Sequence, residues 1–223
     1  MGTFSPLFLS FKLAAVVTVL LVAIACPLSY WLTFKNFKGK IFAESLILLP
    51  LVLPPTVLGF ALLVLLGPDG SLGKCFARIF GYTPAFHFSG LVIACLIHGL
   101  PFAIQPLKAA LTKLDVRILE LAEVSGISPT RSFFQIVLPN IWPGILAAAI
   151  LVFAHTLGEF GVVLMVGGGI PGETLVASIA IYTYVEALEY NKAAQLSLIL
   201  LALSYVVLCV AMVLERRQKK CAF

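Results

Sequence analysis

The stretch LFLSFKLAAVVTVLLVAIACPLSYWLTF, Leu7 to Phe34, decides the fold. A helix needs about 20 predominantly apolar residues to cross the hydrocarbon core of a bilayer, and this run is longer than that. Four further runs resemble it: Ile41 to Leu66, Gly90 to Ala110, Ile141 to Val166, and Ala193 to Leu214. Of the 223 residues, 61% are hydrophobic and 11% charged, and mean hydropathy is +1.09. A soluble domain is about a quarter charged. One globular core would need far fewer apolar side chains, so the excess faces lipid. Backbone polar groups in hydrocarbon must be satisfied within the segment, which makes each run a helix. The expectation is an all-α integral membrane protein of about five transmembrane helices, with residues 1–223 forming one domain.

The net charge of +5 and a pI near 9.0 do not indicate nucleic acid, because the cations lie in short loops between apolar runs rather than along one face. Lys35, Lys38 and Lys40 follow the first run. Lys108, Lys113, Arg117 and Arg131 surround the segment after the third, and Arg216, Arg217, Lys219 and Lys220 end the chain. Basic loops remain in the cytoplasm. The other two connections hold Lys74 and Arg78 in one, and Lys192 with Glu173, Glu186 and Glu189 in the other. Five spans satisfy this alternation with the N-terminus outside and the C-terminus cytoplasmic. The N-terminus has neither a basic region nor a small-residue cleavage site, so the first run is expected to be retained. Glu173 to Leu188 is apolar but short and ends in carboxylates, which predicts a re-entrant or interfacial helix. No internal repeat of the kind found in many secondary carriers is seen.

Pro50, Pro54 and Pro55 interrupt the second run. Each proline removes a backbone donor and crowds the preceding turn, so a kinked or broken helix is expected. Such a break suits a helix lining a water-filled path as well as a packing kink, which makes Pro54 and Pro55 pathway or gate candidates.

Nothing here assembles a catalytic site. His87, His98 and His155 lack metal-ligand spacing, the serines lie in no nucleophile elbow, and the five cysteines form no CxxC pair. Gly70 to Cys75 (GSLGKC) approaches a phosphate-binding loop but lacks its first glycine and has Cys75 where a hydroxyl must hold magnesium. Gly167 to Glu173 (GGGIPGE) offers Glu173 in place of the lysine. If ATP is used, another chain binds it.

Glu159, in TLGEFG, is a carboxylate inside an apolar run. Burying such a charge costs at least about 2.5 kcal/mol, and intramembrane acids tend to be functional. A carboxylate repels anions, so Glu159 reads as a hydrogen-bonded clasp near a pathway, with His155 one helical turn earlier on the same face, or as a paired acid joining two helices. His98 reads as a buried hydrogen-bonding residue.

The most specific segment is Glu120 to Pro139, ELAEVSGISPTRSFFQIVLP. It resembles the EAA signature of ABC importer permeases. Glu120, Ala122, Gly126, Ile136, Leu138 and Pro139 match in order and spacing, while Leu121 replaces the usual first alanine. The resemblance implies the type I ABC importer permease fold, with a cytoplasmic coupling segment over about 111–140 that docks on an ATPase. The residues suit that role: Gly126 permits a sharp turn or close approach, Pro129 can begin a helix, and Phe133, Phe134 and Ile136 offer an apolar anchor. The other reading of these residues is an amphipathic helix resting on the membrane surface.

Within the family, LPLVLPPTVLGFALL (Leu49 to Leu63), LGEFG (Leu157 to Gly161) and IPGET (Ile170 to Thr174) look like molybdate permeases. LGEFG is shared with sulfate permeases. The resemblance implies a homodimer, two cytoplasmic ABC ATPase subunits carrying ATP and Mg, an extracytoplasmic oxyanion-binding protein, and a bacterial or archaeal cytoplasmic membrane. It implies no cofactor or metal on this chain. Tungstate and sulfate or thiosulfate remain alternative cargoes, and a non-transporting membrane scaffold is the alternative class.

Overall fold

The computed structural model describes residues 4–221, and their side chains apart from those of 211 and 214–221. The tail cations Arg216, Arg217, Lys219 and Lys220 therefore lie outside the described side chains.

Every described element is a helix. α1 (Phe4–Phe34), α5 (Phe88–Leu111) and α9 (Trp142–Gly158) pack on one another. Their shared core is built from Leu13, Val17 and Leu21 of α1, Leu91, Ile104 and Leu107 of α5, and Ala148 and Val152 of α9. The last helix, α12 (Tyr190–Cys221), touches α9 along one side and leaves Leu198, Leu201, Val206 and Val210 exposed. This is the outward-facing apolar surplus that the composition demands.

Among the described residues, three helices are long and apolar enough to cross a membrane: α1, α5 and the Tyr190–Val210 part of α12. The count reaches five when each sharply bent pair is taken as one span. The first pair is α2 (Lys40–Val52) with α3 (Pro55–Leu66), bent by 112°. α2 ends as Leu53 turns extended, and Pro54, also extended, caps an α3 that begins on Pro55. This is the expected break at Pro54 and Pro55, whereas Pro50 lies inside α2 and does not end it. The second bent pair joins the segment before Trp142 to α9, at 73°.

The fourth run differs from the continuous span expected over Ile141 to Val166. α9 stops at Gly158, Glu159 is extended (φ −66°, ψ 133°), and α10 (Gly161–Gly167) starts anew. Two glycines flank the gap, where helix propensity is lowest. The Glu159 carboxylate accepts the Val162 N–H, 3.2 Å, satisfying a donor that the interruption frees.

The two ends of the bundle differ in charge. Lys108 near the end of α5 pairs with Glu44 at the start of α2, 2.9 Å, so the loop of Lys35, Lys38 and Lys40 lies beside the segment of Lys113, Arg117 and Arg131. At the opposite end, the Lys12 ammonium sits over the Phe88 ring, 4.6 Å, and Glu173 accepts the Phe88 N–H, 3.4 Å. The segment Glu173 to Leu188 holds α11 (Ala177–Glu186). A helix of that length rises about 15 Å, half the hydrocarbon thickness, so it does not span. It buries Ala177 and Ala180 against Leu7 and Leu196.

Candidate functional site

The break between α9 and α10 is the polar centre of the bundle. Glu159 is 8% exposed, and its Oε2 lies 3.3 Å from Nε2 of His98 and 3.5 Å from Nε2 of His155. Its other oxygen holds Val162 N–H, and its carbonyl accepts the Ser178 hydroxyl of α11, 2.6 Å. One residue thus ties together α5, α9, α10 and α11. The His155 ring stacks on Phe102, centroids 3.9 Å apart. Nδ1 of His98 and Nε2 of His155 make no hydrogen bond. Glu159 thus lies beside both His155, one helical turn earlier, and His98 of a separate helix, which nothing in the sequence pairs with it. An acid in an apolar run needs a partner, and His98 sits in the middle of the neighbouring apolar run.

The same three residues can hold a divalent transition metal, since their donor atoms lie within 4.8 Å of one another and two imidazoles with a carboxylate form a zinc-type set. The i, i+4 spacing of His155 and Glu159 is visible in the sequence, but no spacing joins them to His98, which comes from a separate helix.

The second break abuts the first. A β-carbon on Gly161 would lie 2.8 Å from Cβ of Pro55, and one on Gly59 would lie 2.8 Å from Cβ of Met165. α10 therefore runs against α3 with almost no room between them, starting at the proline break. Pro55 and the clasp, unrelated in sequence, are neighbours through Gly161, with Pro54 capping α3 at the same point.

The IPGET turn closes the outer end. Buried Thr174 donates to the Gly167 carbonyl, 2.6 Å, and accepts Ile170 N–H, 2.8 Å. The motif staples α10 to the segment leading into α11.

The Glu120 to Pro139 segment lies apart, at the basic end. α6 (Val116–Val124) is capped by Asp115, whose side chain accepts Arg117 N–H. Gly126 adopts φ 76°. Its N–H bonds the Glu123 carbonyl, and Ile127 N–H reaches back to Ala122, 3.0 Å, a Schellman ending that requires a left-handed residue. A β-carbon on Gly126 would meet nothing in this chain within 4 Å, so here the glycine serves the turn. Ser128 caps α7 (Pro129–Ser132), which opens on Pro129 as expected. Phe133 packs edge-on to Tyr30 of α1, centroids 5.3 Å apart, while Phe134 is exposed. Of the two aromatics Phe133 alone packs into the bundle, where fully buried Val137 joins the same core. A π-turn over Phe133–Val137 precedes α8 (Leu138–Asn140), which contains Pro139. Of the matched positions Ala122 is buried, Glu120 and Pro139 are exposed, and Leu121 and Val124 are left 66% and 87% exposed.

A family model described as the binding-protein-dependent transport system inner membrane component matches residues 20–220. The chain belongs to that family. The permease is 45% identical over 202 residues to the molybdenum transport system permease protein ModB of Azotobacter vinelandii, covering 90% of this chain and 88% of that one. To the protein of the same description in Escherichia coli K12 it is 37% identical over 188 residues, covering 83% and 82%. A sulfate transport system permease protein of that organism is 30% identical over 181 residues, covering 81% and 65%. In structure the permease resembles a bacterial ABC transporter involved in alginate import, with a TM-score of 0.79 at 17% identity, covering 97% of this chain and 80% of that one. That likeness speaks for the fold alone, and the fold is that of an ABC importer permease.

Proposed function

We propose that the chain is the membrane-spanning subunit of an ATP-driven importer that carries molybdate across the cytoplasmic membrane of a bacterium or archaeon. The observation that carries this reading is the 45% identity to a molybdenum permease over nine tenths of the chain, against 30% for sulfate permeases.

Two copies enclose the path, and an extracytoplasmic binding protein delivers the anion at the end that bears Glu173. At the basic end each copy presents α6 and α7 to an ATPase subunit. Exposed Leu121, Val124 and Phe134 are the apolar surface that a cytoplasmic partner would cover, whereas a helix folded for this chain alone would bury them. ATP and Mg belong to that partner, consistent with the incomplete phosphate loops. Phe133 against Tyr30 carries movement of the docked segment into α1. The abutting breaks at Pro55 and Gly161 give α3 and α10 a place to pivot, with the clasp on Glu159 holding α10 to α5. Glu159 acts as a positioning residue here, since its charge repels an oxyanion. The described spans carry no cluster of cations, so anion selectivity rests chiefly with the binding protein.

Uptake of labelled molybdate into vesicles containing the permease, its ATPase and its binding protein tests this. ATP-dependent uptake that excess sulfate leaves intact supports the reading. Uptake suppressed by equimolar sulfate would assign the chain to sulfate import, and a complex that neither transports nor hydrolyses ATP in response to an oxyanion would make it a scaffold.

A further inference from the structure

Helix α4 (Ser71–Phe80) follows α3 at the end away from the basic loops, and neither the path nor the coupling segment explains its sequence. SLGKCFARIF places Leu72, Cys75, Phe76, Ile79 and Phe80 at i, i+3, i+4, i+7 and i+8, one stripe of a helix turning about 100° per residue. An amphipathic helix of a folded protein turns such a stripe to the core. This one does not: Ile79 is 70% exposed and Phe80 59%, with Leu72 and Cys75 also exposed. Phe76 alone is half-buried, within a small aromatic group with Phe80 and Tyr82.

Another face does the docking. Gly73 is buried, and a β-carbon there would lie 1.9 Å from the Gly67 carbonyl oxygen. Ala77, one turn later on that face, is half-buried. Lys74 and Arg78 fall on a third face, roughly opposite the apolar stripe, and the helix contains no acid. The small face therefore meets the protein, the apolar face points to one side and the cationic face to the other.

A helix that lies along the plane of a bilayer interface and leans on the protein beside it needs this three-sided arrangement. Its apolar face sinks into the acyl boundary while its cations meet phosphate headgroups, their aliphatic stems reaching along the apolar surface. A helix in open water has no use for the stripe, and a protein docked from above would meet the cations.

We propose that α4 is an interfacial anchor in the outer leaflet, with Leu72, Cys75, Ile79 and Phe80 among acyl chains and Lys74 and Arg78 among headgroups. Because Gly73 seats α4 against Gly67, this anchor fixes the depth of the outer end of α3 while the proline break leaves its inner end free to pivot. The assignment does not depend on which anion is carried.

Nitroxide scanning tests it. In the full-length chain with its remaining cysteines replaced by serine, single labels are placed at Leu72, native Cys75 and Ile79, and at Ser71, Lys74 and Arg78. The protein is reconstituted into vesicles of phosphatidylethanolamine and phosphatidylglycerol. Collision rates are then read with oxygen, which concentrates in the membrane, and with a water-soluble nickel chelate. Stripe labels are expected to favour oxygen, and labels at Ser71, Lys74 and Arg78 the chelate. Stripe labels as open to the chelate as the label at Lys74 would overturn the proposal. So would stripe labels closed to both reagents, which would mark a face covered by a second copy or another protein.

Discussion

Nε2 of His98 lies 3.3 Å from Oε2 of Glu159, joining the middle of α5 to the gap between α9 and α10. The contact turns an expensive intramembrane acid into a fastener. The Glu159 carboxylate faces two imidazoles and one backbone N–H on three helical elements, so removing it frees more than one group. Glu159→Gln keeps the size and an acceptor for Val162 N–H, and is expected to retain most transport. Glu159→Ala should cost ~1–3 kcal/mol of stability, as buried donors lose their acceptor, and Glu159→Lys should cost more. Thermal unfolding in detergent and vesicle uptake read both effects. An inactive Gln variant beside an active Ala variant would show that charge or chemistry, not fastening, is what Glu159 supplies.

A second expectation concerns the abutting breaks. Gly161→Ala puts a methyl 2.8 Å from Cβ of Pro55, and overpacking of this kind costs ~1–3 kcal/mol. Gly158→Ala, at the other side of the same gap, meets nothing within 4 Å and serves as the control. Uptake and melting temperature should fall for the first and hold for the second. Equal behaviour would mean that α3 and α10 are not pressed together during transport.

The topology is testable without any transport assay. Reporter tags after Lys38 and near Ser128 should lie in the cytoplasm, and tags near Asp69 and Glu189 outside. A tag near Ser128 that reports the exterior would invert the bundle and remove the coupling segment from reach of an ATPase.

These features were not equally legible in the sequence. Pro54 and Pro55 announce their break because proline acts locally, through a missing N–H and a fixed ring. Gly126 and Pro129 announce the turn and helix start of the coupling segment for the same reason. The interruption at Glu159 was hidden inside an apolar run because no residue there forbids a helix. What ends α9 is the set of partners that Glu159 finds in His98, Val162 and Ser178. The seating of Gly161 on Pro55 was equally invisible, since a glycine does not reveal which backbone or side chain approaches it. The π-turn before Pro139 also left no pattern in composition or periodicity.

Charge and shape contribute differently at the docking face. Glu120 is exposed, and one exposed interfacial charge is commonly worth ~0.2–1 kcal/mol. Glu120→Lys should therefore weaken ATPase association only mildly and mostly at low salt, which titration of the complex at two ionic strengths would reveal. A salt-independent loss of all binding would mean that Glu120 is buried in the complex.

The central claim, that the segment from Glu120 to Pro139 couples this permease to an ATPase, is tested most directly at Gly126. Its left-handed φ of 76° costs an L-residue ~1–2 kcal/mol, while asparagine tolerates it best, so Gly126→Asn should couple nearly as well as the native chain. Gly126→Trp strains the turn and projects a bulky ring from an exposed loop toward the partner. Because it buries no charge in lipid, the variant should reach the membrane at near-normal levels. The measurement is oxyanion-stimulated ATP hydrolysis by the assembled complex in vesicles. The account predicts that Gly126→Trp abolishes stimulation while Gly126→Asn preserves it, and a Gly126→Trp complex that assembles and is stimulated like the native one would contradict it.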